Sequence, residues 1–184
     1  MKQKLRKWQI WLINKKELER DFEYYSKREI IRKITPNPRL VKVHIHKAFH
    51  NLDFANFTLT NQDRINKRLE DETYFDWAII ISYYAMYHSA MALLYKLGYK
   101  SSAHLATICI LCKKCLGKIL EKDDIEKLSR ILELSEEEIK EISKAKERRE
   151  KASYSGSISF EKNLAEITID DARKFVNKIA DILE

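Results

Sequence analysis

The stretch Tyr74 to Leu97, YFDWAIIISYYAMYHSAMALLYKL, decides the fold. Ile79, Tyr83, Met86, Ala90, Leu93 and Leu97 recur at spacings of 4, 3, 4, 3 and 4, the period of one helix face. Ile80, Tyr84, Tyr87, Met91 and Leu94 make the other side apolar too, so this helix is expected at the centre of a bundle, buried nearly all round. Ser82, His88, Ser89 and the tyrosines break the run, and no uninterrupted apolar segment approaches the ~20 residues of a membrane span.

Upstream, Val41, Ile45, Ala48, Leu52, Ala55 and Leu59 show the same spacing and predict a long helix packed along the first. Thr35-Pro36-Asn37-Pro38 separates that helix from residues 4–33, because each proline disfavours the α region at the residue before it. The organisation read from this is a basic N-terminal helical extension, residues 1–37, and a helical bundle, residues 38–184. Downstream, Gly98 predicts a helix end. Ser101 or Ser102 is expected to cap a helix reaching about Leu116, and Asp123 to open another to Leu132. Ser135 should cap a helix to about Tyr154, and Thr168 or Asp170 should start the last one, to Leu183.

Composition narrows the function. With 3 Gly and 2 Pro among 184 residues, the chain lacks the turn residues of an all-β fold. Neither a Gly-x-Gly-x-x-Gly nor a Gly-x4-Gly-Lys-Ser/Thr string occurs, which removes the Rossmann and P-loop fingerprints. The net charge of +7 is uneven: residues 1–50 hold 14 Lys/Arg against 5 Asp/Glu, while residues 51–184 hold 21 against 23. A basic arm on a near-neutral body suits a polyanion such as RNA or DNA, an anionic membrane, or simply a solvated lysine-rich face. The three cysteines form no disulfide framework, and the segment around Trp8–Ile13 lacks a signal-peptide layout, so a cytoplasmic location is expected.

Three strings carry a family resemblance. Tyr83-Tyr84-Ala85-Met86-Tyr87-His88-Ser89-Ala90 follows Asp76-Trp77 and precedes Gly98-Tyr99, Ser102 and His104. Ala48-Phe49-His50-Asn51-Leu52 lies upstream. Arg149-Glu150-Lys151-Ala152-Ser153-Tyr154 lies downstream and is similar to Arg-x-x-Ala-Asp-Tyr, with Ser153 in place of Asp. Together they resemble HEPN-domain proteins over about residues 40–184, particularly the small prokaryotic group encoded beside minimal nucleotidyltransferases. The resemblance implies an all-α, up-and-down helical bundle that dimerises. It also implies a nucleotide- or RNA-binding component acting with a nucleotidyltransferase partner, in a toxin–antitoxin-like or defence system.

Active members of that family carry Arg-x4-6-His and cleave RNA without a metal. Here Arg149 is followed after four residues by Tyr154, and no histidine follows His104. A phenol with a pKa near ~10 does not relay protons at neutral pH as an imidazole near ~6.5 does. A metal-independent endoribonuclease would therefore need a displaced base, such as His88 or His104. A protein-interaction module is a further alternative. Arg39 and His44 also fit Arg-x4-His, but they begin the first bundle helix, and the match reads as coincidence.

Arg149 is the first choice for contacting a phosphate or nucleotide, with ion pairing to Glu147 or Glu150 as the plainer role. Tyr154 can stack on a base, accept a nucleotidyl group, or pack at a helix end. Ser102 and His104, with Ser101, stand where a helix start favours phosphate, or where serine merely caps. Tyr84 and His88 shape the same region, His88 otherwise being a hydrogen-bonded core residue. Cys109, Cys112 and Cys115 lack the fourth cysteine of a ferredoxin-type run and read as buried thiols. His44, His46 and His50 do not match a zinc pattern, and no metal or other cofactor is expected. Trp8 and Trp11, among basic residues, can stack on unpaired bases, lie in a membrane interface, or anchor the extension to its own bundle or a dimer mate.

Overall fold

Asn37 and Pro38 start the first long helix as their chemistry dictates. The Asn37 side chain accepts from the Leu40 N–H (3.0 Å), and Pro38, at the first helical position, has no N–H to leave unsatisfied. The computed structural model describes residues 5–65, 73–133 and 158–184. In chain order these form α1 (Lys7–Ile13), α2 (Lys15–Lys27), β1 (Ile31–Lys33), α3 (Pro38–Thr60), the short α4 (Gln62–Ile65), α5 (Phe75–Lys96), β2 (Tyr99–Ser101), α6 (His104–Lys114), α7 (122–133) and α8 (Ile158–Leu183). The fold is the all-α bundle that the sequence implies, with one small ribbon added.

α3 and α5 run antiparallel and pack along most of their lengths. At one end the Asn37 N–H reaches the Tyr95 carbonyl (3.3 Å). At the other, the Gln62 Oε1 accepts from the Tyr74 N–H (2.8 Å). α8 packs against both helices, and Lys96 at the end of α5 donates to the Ile182 carbonyl (2.7 Å). α7 lies antiparallel to α8, tied by the ion pairs Lys178–Asp124 (2.5 Å) and Lys127–Asp171 (3.1 Å). Ile79, Met86, Leu93 and Leu94 of α5 are fully buried with Ile108 and Leu111 of α6, Leu128 of α7 and Phe175 of α8. By length and composition α5 is the one helix among the described residues able to cross a membrane, and most of it is covered by the rest of the bundle.

Several boundaries differ from those read in the sequence. The α6 N-cap is Ala103, which offers no capping side chain. Ser101 instead ends β2, and its hydroxyl meets Thr107 Oγ1 (2.5 Å). α8 begins ten residues before Thr168, because Leu164, Ala165, Thr168, Ile169 and Ala172 already supply a helical apolar face. Thr168 does not cap; it is buried and donates to the Leu164 carbonyl one turn back (2.6 Å). The helix expected after Ser135 lies outside the described residues.

The N-terminal segment packs on α6 through α1 and α2. Trp8 and Trp11 are buried, at 5% and 2% exposure, so neither offers a face to an unpaired base. The Trp8 Nε1 donates to Glu133 Oε1 (2.8 Å), and the Trp11 Nε1 donates to Asp21 Oδ2 (3.0 Å). β1 then pairs antiparallel with β2, Ile31 opposite Ser101, Arg32 opposite Lys100 and Lys33 opposite Tyr99. The ribbon thus links the extension to the turn that leaves α5.

Candidate functional site

α5 is covered on every side but one. Trp77 and Tyr84 are exposed, and Ile81 and His88 are half-buried; their spacing of 4, 3 and 4 marks a single stripe. Tyr87 borders it, also half-buried. This opening carries two of the residues singled out in the sequence, Tyr84 and His88, and the fold brings others to it.

From α3, His44 approaches until its Nδ1 is 3.0 Å from the Nδ1 of His88. From the head of α6, His104 places its Nδ1 2.7 Å from the Tyr83 hydroxyl. The rings form one continuous strip. His44 to His88 is 5.1 Å between centroids, His88 to Tyr87 6.0 Å, Tyr87 to His104 4.6 Å, His104 to Tyr83 5.3 Å, and Tyr83 to Tyr84 5.4 Å. Ser102, exposed, stands two residues before His104, and its N–H donates to the Ile30 carbonyl (3.0 Å).

Three rings of the strip are held toward their neutral forms. Burial pushes His88 down to about 4, with His44 and then Lys47 adding to the effect. Burial, then Lys47, also lowers His44. Burial raises Tyr87 against a smaller opposing contribution from its bond to Thr107. At neutral pH His88 is therefore uncharged, and one Nδ1–H bridges the two histidines. The chemistry such a surface offers is ring contact together with hydrogen bonds to ring nitrogens and hydroxyls. Among the described residues no group of three or more His, Cys, Asp or Glu side chains could hold a metal ion.

Four of the expected site residues, Tyr84, His88, Ser102 and His104, thus lie in one neighbourhood. Arg149 and Tyr154 lie outside the described residues. His46 and His50 are exposed and take no part in the strip. The sequence reading missed His44 and Tyr87; Tyr83 is core, as its spacing implied, and meets the strip from below at 2% exposure. The signal for Tyr87 was the doubled i, i+4 pattern, Tyr83 with Tyr87 and Tyr84 with His88, which puts four ring side chains on one side of one helix.

The model of the HEPN domain matches residues 59–182, from the end of α3 to the end of α8. The chain belongs to the HEPN-domain family. The matched span contains the whole ring strip except His44, and it leaves out Ala48–Leu52 and the N-terminal extension. A UPF0332 protein of Archaeoglobus fulgidus is 44% identical over 69 residues, 34% of this chain and 54% of that protein. The chain therefore spans about half the length of that relative. Membership of the HEPN family supports a nucleotide- or RNA-related function in general.

Proposed function

We propose that this HEPN-domain protein binds a nucleotide or RNA at the ring strip and acts with a nucleotidyltransferase partner, in a toxin–antitoxin-like or defence role. It works as a cytoplasmic homodimer. The carrying observation is the run of six rings from His44 to Tyr84, five of them reaching the surface and joined through the buried Tyr83, with Ser102 beside it at the head of α6. Clustered rings edged with imidazole nitrogens suit a base or ribose, and Arg149 is assigned to the phosphate.

Binding is favoured over catalysis by the same side chains. The family's Arg-x4-6-His motif has Tyr154 in the histidine position. His88, held near 4, is too weakly basic to take a proton efficiently at neutral pH. Catalysis then belongs to the partner.

The test is equilibrium binding of ATP and of a short mixed-sequence RNA by the purified protein, with His104→Ala and Tyr84→Ala beside it, and cleavage of the RNA followed in EDTA. Weakened binding in both variants, without cleavage, is the expected result. Cleavage that disappears in Arg149→Ala would establish the metal-independent endoribonuclease instead. Absence of binding to either probe would overturn the reading.

A further inference from the structure

The pairing of β1 with β2 sets Arg32 directly opposite Lys100. Like charges facing each other across a strand pair destabilise it, and both side chains are exposed. Glu29 pairs with Arg32 at 3.1 Å, but both members are more than half exposed, so the compensation is slight. Among the described residues neither Lys33 nor Lys100 has a carboxylate partner. A two-stranded ribbon that spends stability on facing cations suits an anion that lies across them.

Two hollows flank the ribbon. The larger, about 390 Å³, is lined by Phe22, Ile31, Arg32, Lys33 and Tyr99 among others, which is the low end of the size range for small-ligand pockets. The smaller, about 120 Å³, is lined by Arg32, Lys100, Ser101 and Ser102, and the two share Glu29 and Arg32. In the larger one Phe22 and Tyr99 meet edge to face, 6.4 Å between centroids. The Lys113 ammonium lies 4.1 Å from the Phe22 ring and that of Lys114 5.4 Å from the Tyr99 ring. The shallow trough thus carries the cations Arg32, Lys33 and Lys100 with the rings of Phe22 and Tyr99, while Lys113 beside it is ion-paired with Glu19. It ends at Ser102, two residues from His104.

We propose that this trough binds single-stranded RNA, stacking one base in the larger hollow and passing the backbone over Arg32 and Lys100 toward the His104 end of the ring strip. Interleaved rings and cations are the means by which proteins hold unpaired strands, and a hollow of this size takes a single unstacked base rather than a duplex groove. The proposal deepens the function proposed above and rests on it for the nature of the polyanion. It also places the binding work of the basic N-terminal segment on Phe22, Arg32 and Lys33, since the two tryptophans are buried.

The experiment is fluorescence anisotropy of a labelled single-stranded RNA of mixed sequence with the full-length protein, in EDTA, from 50 to 200 mM KCl. The Arg32→Ala/Lys100→Ala double variant should bind about tenfold more weakly at the low-salt end and lose about 1.4 from the log–log salt slope, two phosphate contacts at roughly 0.7 each. Tyr99→Leu should also bind about tenfold more weakly but keep the wild-type slope. The double variant loses the facing-cation repulsion together with the Arg32 bonds to the Glu29 carbonyl and carboxylate (3.0 and 3.1 Å), so its melting temperature should stay close to that of the wild type, and an unchanged far-UV spectrum would show that its lost affinity does not reflect misfolding.

Wild-type affinity in the double variant overturns the trough. If His104→Ala nevertheless weakens binding, the ring-strip function stands without it. No RNA binding by the wild type overturns both. Tighter binding to duplex RNA, or binding to phosphatidylserine vesicles that excess RNA does not compete away, also overturns the trough.

Discussion

The Nδ1 atoms of His44 and His88, 44 residues apart in the chain, lie 3.0 Å from each other between α3 and α5. That contact needs one proton between two nitrogens, so one ring carries its hydrogen on Nδ1 and the other on Nε2. Protonating both rings would set two Nδ1–H groups and two imidazolium charges against each other, with Lys47 nearby. The contact does not survive the doubly charged state.

Stability should therefore fall as the pH drops below the ordinary histidine range. His88 is lowered to about 4 in the folded protein, whereas the unfolded chain takes up the proton near ~6.5. Between these values the unfolded state binds more protons, so stability is complete above ~6.5 and declines toward pH 4. The whole shift would amount to about 3 kcal/mol, and partial exposure of the ring reduces this to about 1–2 kcal/mol. Urea unfolding from pH 7.5 to 4 should show that slope, and His88→Gln should flatten it.

Trp11→Phe should cost about 1.5 kcal/mol, the value of a hydrogen bond to a buried carboxylate that keeps other donors. The lost partner is Asp21, which also receives Arg20 (3.3 Å). Thermal unfolding would measure the loss. An unchanged melting temperature would mean that the Trp11–Asp21 contact contributes nothing to the docking of the extension.

Gly98 and Gly117 both have positive φ, +75° and +73°, yet alanine should affect them differently. A Cβ at Gly98 would stand 2.7 Å from the Ile34 carbonyl oxygen, while at Gly117 it would meet nothing within 4 Å. Gly117→Ala should cost about 1 kcal/mol for the backbone alone. Gly98→Ala should cost at least twice that, roughly 2–4 kcal/mol, as the backbone shift strains the ribbon. Equal losses in denaturant melts would contradict the clash.

Glu29 holds φ at +55° in the turn that ends α2, where the Ile30 N–H reaches the Tyr25 carbonyl and the Glu29 N–H reaches that of Ser26 (both 3.0 Å). This is a Schellman ending with glutamate where glycine is favoured. Glu29→Gly should stabilise the protein by about 0.5–1 kcal/mol, since the exposed ion pair it gives up with Arg32 is worth little. A lower midpoint in urea would contradict this.

The thiols of Cys109, Cys112 and Cys115 are each pushed up to about 12 by burial. At pH 8 roughly one in 10⁴ is ionised, so the native protein should leave an aromatic disulfide reagent untouched. All three should react in guanidinium chloride. Rapid reaction of native Cys109, which faces α2 near Asp21 and Glu19, would mean that the N-terminal segment lifts off α6.

The two central helices were legible because their apolar residues repeat for many turns. The 4, 3, 4 spacing from Val41 and from Ile79 places α3 and α5 within a residue or a turn of their ends. The ribbon was not legible: Ile31–Lys33 and Tyr99–Ser101 are three residues each, too short for alternation to register against the helical pattern around them. The beginning of α8 was missed because Thr168 resembles a cap until its hydroxyl is seen bonded back into its own helix. At the site, Tyr84, His88 and His104 stood out as chemistry. His44 did not, since helical spacing within α3 says nothing of which residue on α5 it will meet.

The ribbon also bears on the order in which the protein assembles. The Ile34 N–H bonds the Gly98 carbonyl at 2.9 Å, and the covalent path between those residues is the entire α3–α5 hairpin. Pairing β1 with β2 in an open chain would mean closing that whole loop against its entropy. Once α3 and α5 have zipped together, the two strands are already neighbours and pair with little further loss of chain freedom. On this entropic ground the hairpin should form before the N-terminal segment docks onto it. The same segment should then open first from the native state, with the amides of β1 and β2 exchanging before those of α5.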